Sequence, residues 1–343
     1  MSIMSTGSRR LRLVAAVLTA GFALAACGGG GTAETPASTT AAAQTQAEGN
    51  SLPVTVEHKY GTTTVEKADR IVTLGLSDHE IVLALGVKPV GAVDWFGERP
   101  FGVFPWQAEK WAGTEPAIVG VRDDYDIEKI IELQPDLIIA QYSGMSQEQY
   151  DTLSELFDVV AQPKEHADYA APWQAMTRAV GKAMGKADQA EALIKGIDEK
   201  FAKVRAEHPE FAGKTVVVAD AFQPGTYSAF AAHDPKVVFM NEIGFQSPQR
   251  IKDVPKEKNV IDVSSEGLDL FESDRLIWLT SDPEAEKRIK ADPLYGKLKV
   301  AAEGRDLFVP YSDPPVGAAI SFNTVLSIPY AIDNMVPLLV AQS

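Results

Sequence analysis

Between Trp173 and His208 there is no proline, although Pro172 and Pro209 stand immediately on either side. Proline suits the first turn of a helix and also stops one that has run its course, so the pair brackets a thirty-six-residue helix. Apolar side chains at Trp173, Met176, Val180, Met184, Ala187, Leu193, Ile197, Phe201 and Val204 recur mostly three or four apart, which gives the helix one buried stripe. Unbroken, it would extend roughly 54 Å. Gly181, Gly185 and Gly196 each weaken it by about 1 kcal/mol relative to alanine. A break near Gly185 would make two surface helices instead, but no turn-forming cluster interrupts the run, and a single connecting helix is expected.

Short β-branched runs alternate with helical stretches on both sides of that segment. Before it, Ile71–Leu74, Pro89–Val93, Ala117–Val121, Leu137–Ala140 and Val159–Ala161 read as strands, and Asp78–Leu85, Asp126–Leu133 and Gln147–Phe157 as helices. After it, Thr215–Asp220, Arg275–Leu279 and Asp306–Val309 read as strands. Pro235–Ile243, Asp292–Leu298 and Phe322–Leu339 read as helices. Such alternation builds βαβ units around a largely parallel sheet. The expected fold is α/β: two Rossmann-like lobes joined by one long α-helix, with an N-terminal lobe over 52–171, the helix over 172–208 and a C-terminal lobe over 209–343.

The N-terminus is of another kind. Arg9, Arg10 and Arg12 precede an apolar run from Leu13 to Ala26, too short for a bilayer span but right for the core of an export signal. Residues 1–26 are expected to be removed as a signal peptide, and Ser8-Arg9-Arg10 only hints at the twin-arginine route. Leu24-Ala25-Ala26-Cys27 resembles a bacterial lipoprotein processing site, and Cys27 is the sole cysteine, so Cys27 is the expected lipidation site. Residues 27–51 then form a low-complexity linker with a reach of roughly 25–30 Å. The expected location is extracytoplasmic, anchored to the cell membrane by an N-terminal lipid. A disulfide framework, a thiolate zinc site and an iron–sulfur cluster are excluded by the single cysteine. Removing the signal takes three arginines and no acids, so the formal charge falls from −15 to −18, which argues against nucleic acid as a partner.

Signal, processing site, linker, lobe, helix and second lobe together resemble the substrate-binding proteins of bacterial ABC importers, in particular the group serving ferric siderophores, haem and cobalamin. RIVTLGLSDHEIVLALGVKPVGA (70–92), YDIEKIIELQPDLIIAQ (125–141) and PWQAMTRAVGKAMGKADQAEALI (172–194) are similar to that group's first strand–helix–strand unit, a following helix–strand pair and its connecting-helix start. The resemblance implies a rigid bilobal monomer that holds a ferric siderophore between its lobes and delivers it to the permease subunits of an ABC importer. No resident cofactor and no catalytic step are implied. Haem or cobalamin in the same groove is the alternative, and a surface scaffold a further one.

Open α/β sheets bind ligands beyond the carboxyl ends of their strands. By that rule the candidate ligand residues are Trp95, Arg122, Tyr142, Tyr227 and Tyr311; apart from the rule, Arg250 in FQSPQRIKDV is a looser candidate from the second lobe, and Trp106 and Phe230 are looser still. Arginine offers a fixed fork of donors to chelating oxygens, and tyrosine and tryptophan add flat area with one polar handle. The resemblance further implies that Arg122 and Tyr142 occupy positions where hydroxamate-binding relatives contact the chelate. It also implies that Glu128 and Glu266, at corresponding helix starts in the two lobes, dock on the permease. Trp278, inside the strand LIWLTS, reads as core.

The five histidines, His58, His79, His166, His208 and His233, show no metal-ligand spacing. The sequence contains no G-x-S-x-G, H-E-x-x-H, Walker or dinucleotide-binding glycine motif, so no enzyme is expected.

Overall fold

The computed structural model describes residues 49–97, 104–223, 225–256, 258–280 and 284–342. The export signal, Cys27 and most of the linker therefore lie outside the described residues. An antiparallel hairpin, β1 (Val54–His58) with β2 (Gly61–Val65), leads in and lays Val54 and Val56 on the core.

The first lobe is built on β3 (Ile71–Thr73), β4 (Gly91–Ala92), β5 (Ala117–Ile118), β8 (Leu137–Ile139) and β9 (Asp158–Val160), all parallel in the order β5-β4-β3-β8-β9. A small ribbon, β6 (Gly120–Val121) with β7 (Asp124–Tyr125), sits between β5 and β8 in the chain. Helices α1 (Asp78–Ala84), α2 (Pro105–Trp111), α3 (Ile127–Leu133) and α4 (Gln147–Ser154) supply the crossovers that parallel strands require. Every residue of β3 and β8 is buried, as expected for strands covered on both faces.

The expected connecting helix is two helices, α5 (Trp173–Ala183) and α6 (Ala187–Glu207). Gly185 stands at φ +64°, and the turn closes with the Gly185 amide on the Lys182 carbonyl and the Lys186 amide on that of Gly181. That double closure is the glycine-terminated helix ending in which a left-handed residue satisfies the last carbonyls. A β-carbon on Gly181 would lie 2.3 Å from that of Ala190, so Gly181 lets α5 and α6 approach closely. The helical period alone does not reveal such a corner, because the apolar stripe continues through it. The bridge is thus α6: near its start Lys186 donates to the Leu85 carbonyl in the first lobe, and near its end Phe201 packs on Phe239 in the second.

The second lobe carries β10 (Val216–Gln223), β11 (Thr226–Phe230), β12 (Val260–Val263), β13 (Arg275–Thr280) and β14 (Asp306–Pro310) in the order β12-β11-β10-β13-β14. The strands β10, β13 and β14 are parallel, whereas β11 runs antiparallel to both its neighbours. The packed helices are α7 (Pro235–Glu242), α8 (Gln249–Lys252), α9 (Ala285–Ala291), α10 (Lys299–Ala302), α11 (Val316–Phe322) and α12 (Ser327–Ala341). In place of the helix expected over Asp292–Leu298 there is a short 3-10 turn, Tyr295–Lys297. The helix expected from Phe322 starts later, because Asn323 adopts φ +47° and ends α11.

One hydrophobic core runs without interruption from Ile81, Leu137 and Val160 in the first lobe, along Ile194, Ile197 and Phe201 of α6, to Val218, Phe239 and Ile328 in the second. A separate cluster on the far face of the second sheet gathers around Trp278. Among the described residues no helix is long and apolar enough to cross a membrane.

Candidate functional site

In each lobe the first sheet strand in sequence is central, and the chain fills one side before crossing to the other. The strand order therefore reverses between β3 and β8, and again between β10 and β13. Such switch points leave a crevice at the carboxyl ends of the strands. A cavity of about 400 Å³ lies where the two crevices face each other. Leu76 and Tyr142 reach it from the β3/β8 switch point, and Asp220 and Leu279 from the β10/β13 one. Phe96, Phe230, Lys236, Tyr311, Ser312 and Ser321 complete its wall. Phe96 and Tyr311 meet edge to face across the lobes with centroids 5.9 Å apart.

Tyr142 is held by a buried carboxylate. Asp78, fully buried at the start of α1, accepts from the Tyr142 amide at 3.0 Å, the Gln141 amide at 2.8 Å and the Gly75 amide at 3.0 Å. Gly75 must be glycine, since a β-carbon there would lie 2.3 Å from an Asp78 carboxylate oxygen. Burial pushes the Asp78 carboxyl up to about 7, against the pull of those three amides. Burial, reinforced by the negative charge of Asp234, raises the Tyr142 phenol well above its usual value. Tyr142 therefore stays a hydroxyl donor at any physiological pH.

The second wall is charged. Lys236, in the first turn of α7, lies 2.9 Å from Asp234, the helix's N-cap, and 4.1 Å over the Phe230 ring. Asp220 is only 3% exposed. Burial pushes its carboxyl up to about 7, opposed by the Ala221 amide and more weakly by Lys236.

The candidates from sequence divide. Tyr142, Phe230 and Tyr311 are brought together on the cavity. Trp95 and Arg122 stand beside it: Trp95 meets Tyr169 edge to face, Tyr169 in turn meets Tyr142, and the Arg122 Nε donates to the Trp95 carbonyl at 3.3 Å. The exposed Arg122 guanidinium lies 6.0 Å over the Trp95 ring, on the rim of the cavity and not in its wall. Trp106 belongs to the seam between the lobes, where it stacks on Phe104 and touches Phe322 and Tyr330.

Tyr227 is elsewhere. The strand expected to end at Asp220 continues to Gln223, so Tyr227 falls inside β11 and not in a loop. The two-residue alternation of β11 then turns Tyr227 and Ala229 toward Trp278 and gives Phe230 to the opposite face. The Tyr227 hydroxyl donates to Asp292 at 2.8 Å. Arg250 is also away from the cleft, its guanidinium bonded to the Leu270 and Glu272 carbonyls.

Asp220 and Lys236 are functional candidates that the sequence reading missed. The strand-end rule that selected Tyr142 also points to Asp220, the last residue of VVVAD. Lys236 carries no comparable signal, because only the fold brings the start of α7 to the crevice. Among the described residues no group of three or more histidine, cysteine or acidic side chains is placed to hold a metal ion.

The seam next to the cleft has its own buried acid. Glu80 accepts from Trp106 Nε1 at 2.7 Å and from the Gln107 amide on one oxygen, and from the Thr324 hydroxyl of the second lobe on the other.

A family model described as periplasmic binding protein matches residues 71–309, which takes in both sheets, both switch points and the bridging helix. The chain belongs to this family. The probable siderophore-binding lipoprotein YfiY of Bacillus subtilis is 28% identical over 234 residues, covering 66% of this chain and 68% of that protein. A periplasmic solute-binding protein from Mycobacterium smegmatis superposes with a TM-score of 0.74 at 31% identity, over 84% of this chain and 97% of that one. PiaA of Streptococcus pneumoniae, solved in complex with ferrichrome, does so with a TM-score of 0.72 at 28% identity, over 84% and 98%. These relatives are named as binding proteins and lipoproteins, not as enzymes.

Proposed function

We propose that this chain is the extracytoplasmic binding component of an ABC importer, capturing a ferric siderophore in the inter-lobe cavity and delivering it to the permease. The observation that carries the reading is the cavity itself, built at two facing switch points and walled by phenols, serines and aromatic faces. That lining suits a bulky chelate whose surface mixes oxygen acceptors with apolar patches. The names of YfiY and of the PiaA complex support the same cargo class. The export signal and Cys27 support a lipid anchor on a monomeric carrier that performs no catalytic step.

Titration of the soluble chain with ferric siderophores should quench its tryptophan fluorescence saturably, while free ferric iron and cobalamin leave it unchanged. Absence of a saturable response to every siderophore would overturn the reading.

Glu128 and Glu266 support the delivery step. Both are exposed in the first turn of their segments, Glu128 in α3 and Glu266 in the 3-10 segment Ser265–Phe271, one per lobe. Replacing both with alanine should abolish uptake in cells and leave the dissociation constant for the chelate within about twofold, a change of under 1 kcal/mol. Intact uptake would count against docking through these residues.

A further inference from the structure

Resting on the carrier reading, we propose that Asp220 makes the cavity selective for ferric chelates of neutral or positive net charge, with an ammonium or amide N–H of the chelate seated against its carboxylate.

The argument begins with charge. Asp220 is almost wholly buried yet lines the cavity, and its carboxylate accepts from the Ala221 amide at 2.6 Å. It forms no ion pair among the described residues. Lys236 is the cation of the described lining, and its ammonium is answered by Asp234 at 2.9 Å. Two carboxylates thus face one ammonium on this wall. Arg122 does not redress the balance, because it lies on the rim against Trp95, with Asp123 and Asp124 next in the chain.

Charges set in a water-poor wall act strongly on what enters: an anionic chelate could share this wall only with Asp220 protonated, whereas a cationic group pairs with it ionised. Three hydroxamates, each singly negative, cancel the charge of ferric iron and leave a neutral chelate. Three catecholates, each doubly negative, leave a strongly anionic one. The second kind would have to approach Asp220 with no spare cation to offset it. The first kind adds no negative charge and can offer Asp220 an ammonium or amide N–H from its backbone, and its hydroxamate oxygens can accept from the Tyr142 and Ser312 hydroxyls, that of Ser321 being already donated to the Gly317 carbonyl. Burial already raises the Asp220 carboxyl to about 7, so an incoming positive group would draw it to the ionised form.

The test is calorimetric titration of the soluble chain with three complexes of similar size. They are iron(III) desferrioxamine B, which carries a free ammonium; its N-acetylated form, which is neutral; and an iron(III) tris-catecholate. The expected order of affinity is ammonium, then acetylated, then catecholate, with at least about tenfold between first and last. Asp220→Asn keeps the shape and removes the charge, and should shrink that ratio to within about threefold. A catecholate bound as tightly as the hydroxamates, or a ratio unchanged in Asp220→Asn, would overturn the inference and leave the carrier reading intact. Failure to bind any of these or other siderophores would defeat the carrier reading, and the inference with it. Should Asp220→Asn not fold, the wild-type series decides, because acetylation alone alters the charge that Asp220 meets.

Discussion

Glu80→Ala is expected to cost about 3–5 kcal/mol of unfolding free energy, measured by urea denaturation. The side chain is fully buried and joins donors from α2 to Thr324 of the opposite lobe. Truncation strands the buried Gln107 amide and Thr324 hydroxyl and takes its acceptor from the half-buried Trp106 indole, and each buried donor that loses its partner costs about 1–3 kcal/mol. A change below about 1 kcal/mol would show that this polar contact adds little to the apolar core that already joins the lobes. Glu80→Gln keeps the shape and an acceptor oxygen, and separates charge from packing. Burial raises the Glu80 carboxyl from 4.5 to about 7. The folded chain therefore binds a proton that the unfolded chain releases between those values. The stabilisation from Glu80 is full below pH 4.5 and is lost as pH rises through 7. The stability of Glu80→Gln relative to wild type should accordingly climb across that window by a few kcal/mol and level off above it. His79, whose buried imidazole is lowered to about 4, has the opposite dependence but is common to both proteins and cancels in the difference.

Trp278→Ala should be as damaging, at about 3–5 kcal/mol, and for a different reason. The indole is fully buried and stacks on Phe271 at 5.2 Å and Phe308 at 6.4 Å, with Tyr227 and Tyr295 edge-on at 5.9 Å each. Its Nε1 donates to the Tyr295 hydroxyl at 3.1 Å. Removal leaves a cavity between rings too rigid to collapse, and a tyrosine without its donor. Because Trp278 faces away from the inter-lobe cavity, chelate affinity at temperatures where the variant remains folded should be nearly unchanged. Equal stability to wild type in denaturant would refute the assignment of this cluster as the second core.

The α/β alternation and the position of most strands were legible because hydrophobic period reports local burial directly. The corner at Gly185 was not, since an apolar stripe of the same period serves a straight helix and a bent pair equally well. Tyr142 and Tyr311 were within reach of a strand-end rule because their strands stop where the β-branched run stops. Tyr227 was misplaced by three residues of unseen strand, Ala221 to Gln223, and in a β-sheet the alternation of faces then decides where a ring points. Lys236 and the Glu80–Thr324 contact depend on segments far apart in the chain, for which a single sequence holds no local cue. Trp106 and Arg250 illustrate the converse: large or charged side chains attract attention, yet both are occupied in holding neighbouring backbone or side chains.

The unbroken core through α6 bears on how a transporter would tell a full carrier from an empty one. A body stiffened along its whole spine keeps nearly the same outline in either state, so little news of the cargo can travel through shape. In the proposed role, vacant copies would compete for the same berth on nearly equal terms. The signal to open would then have to come from the mouth of the cavity, where the chelate itself fills or leaves a gap beside Phe96 and Tyr311.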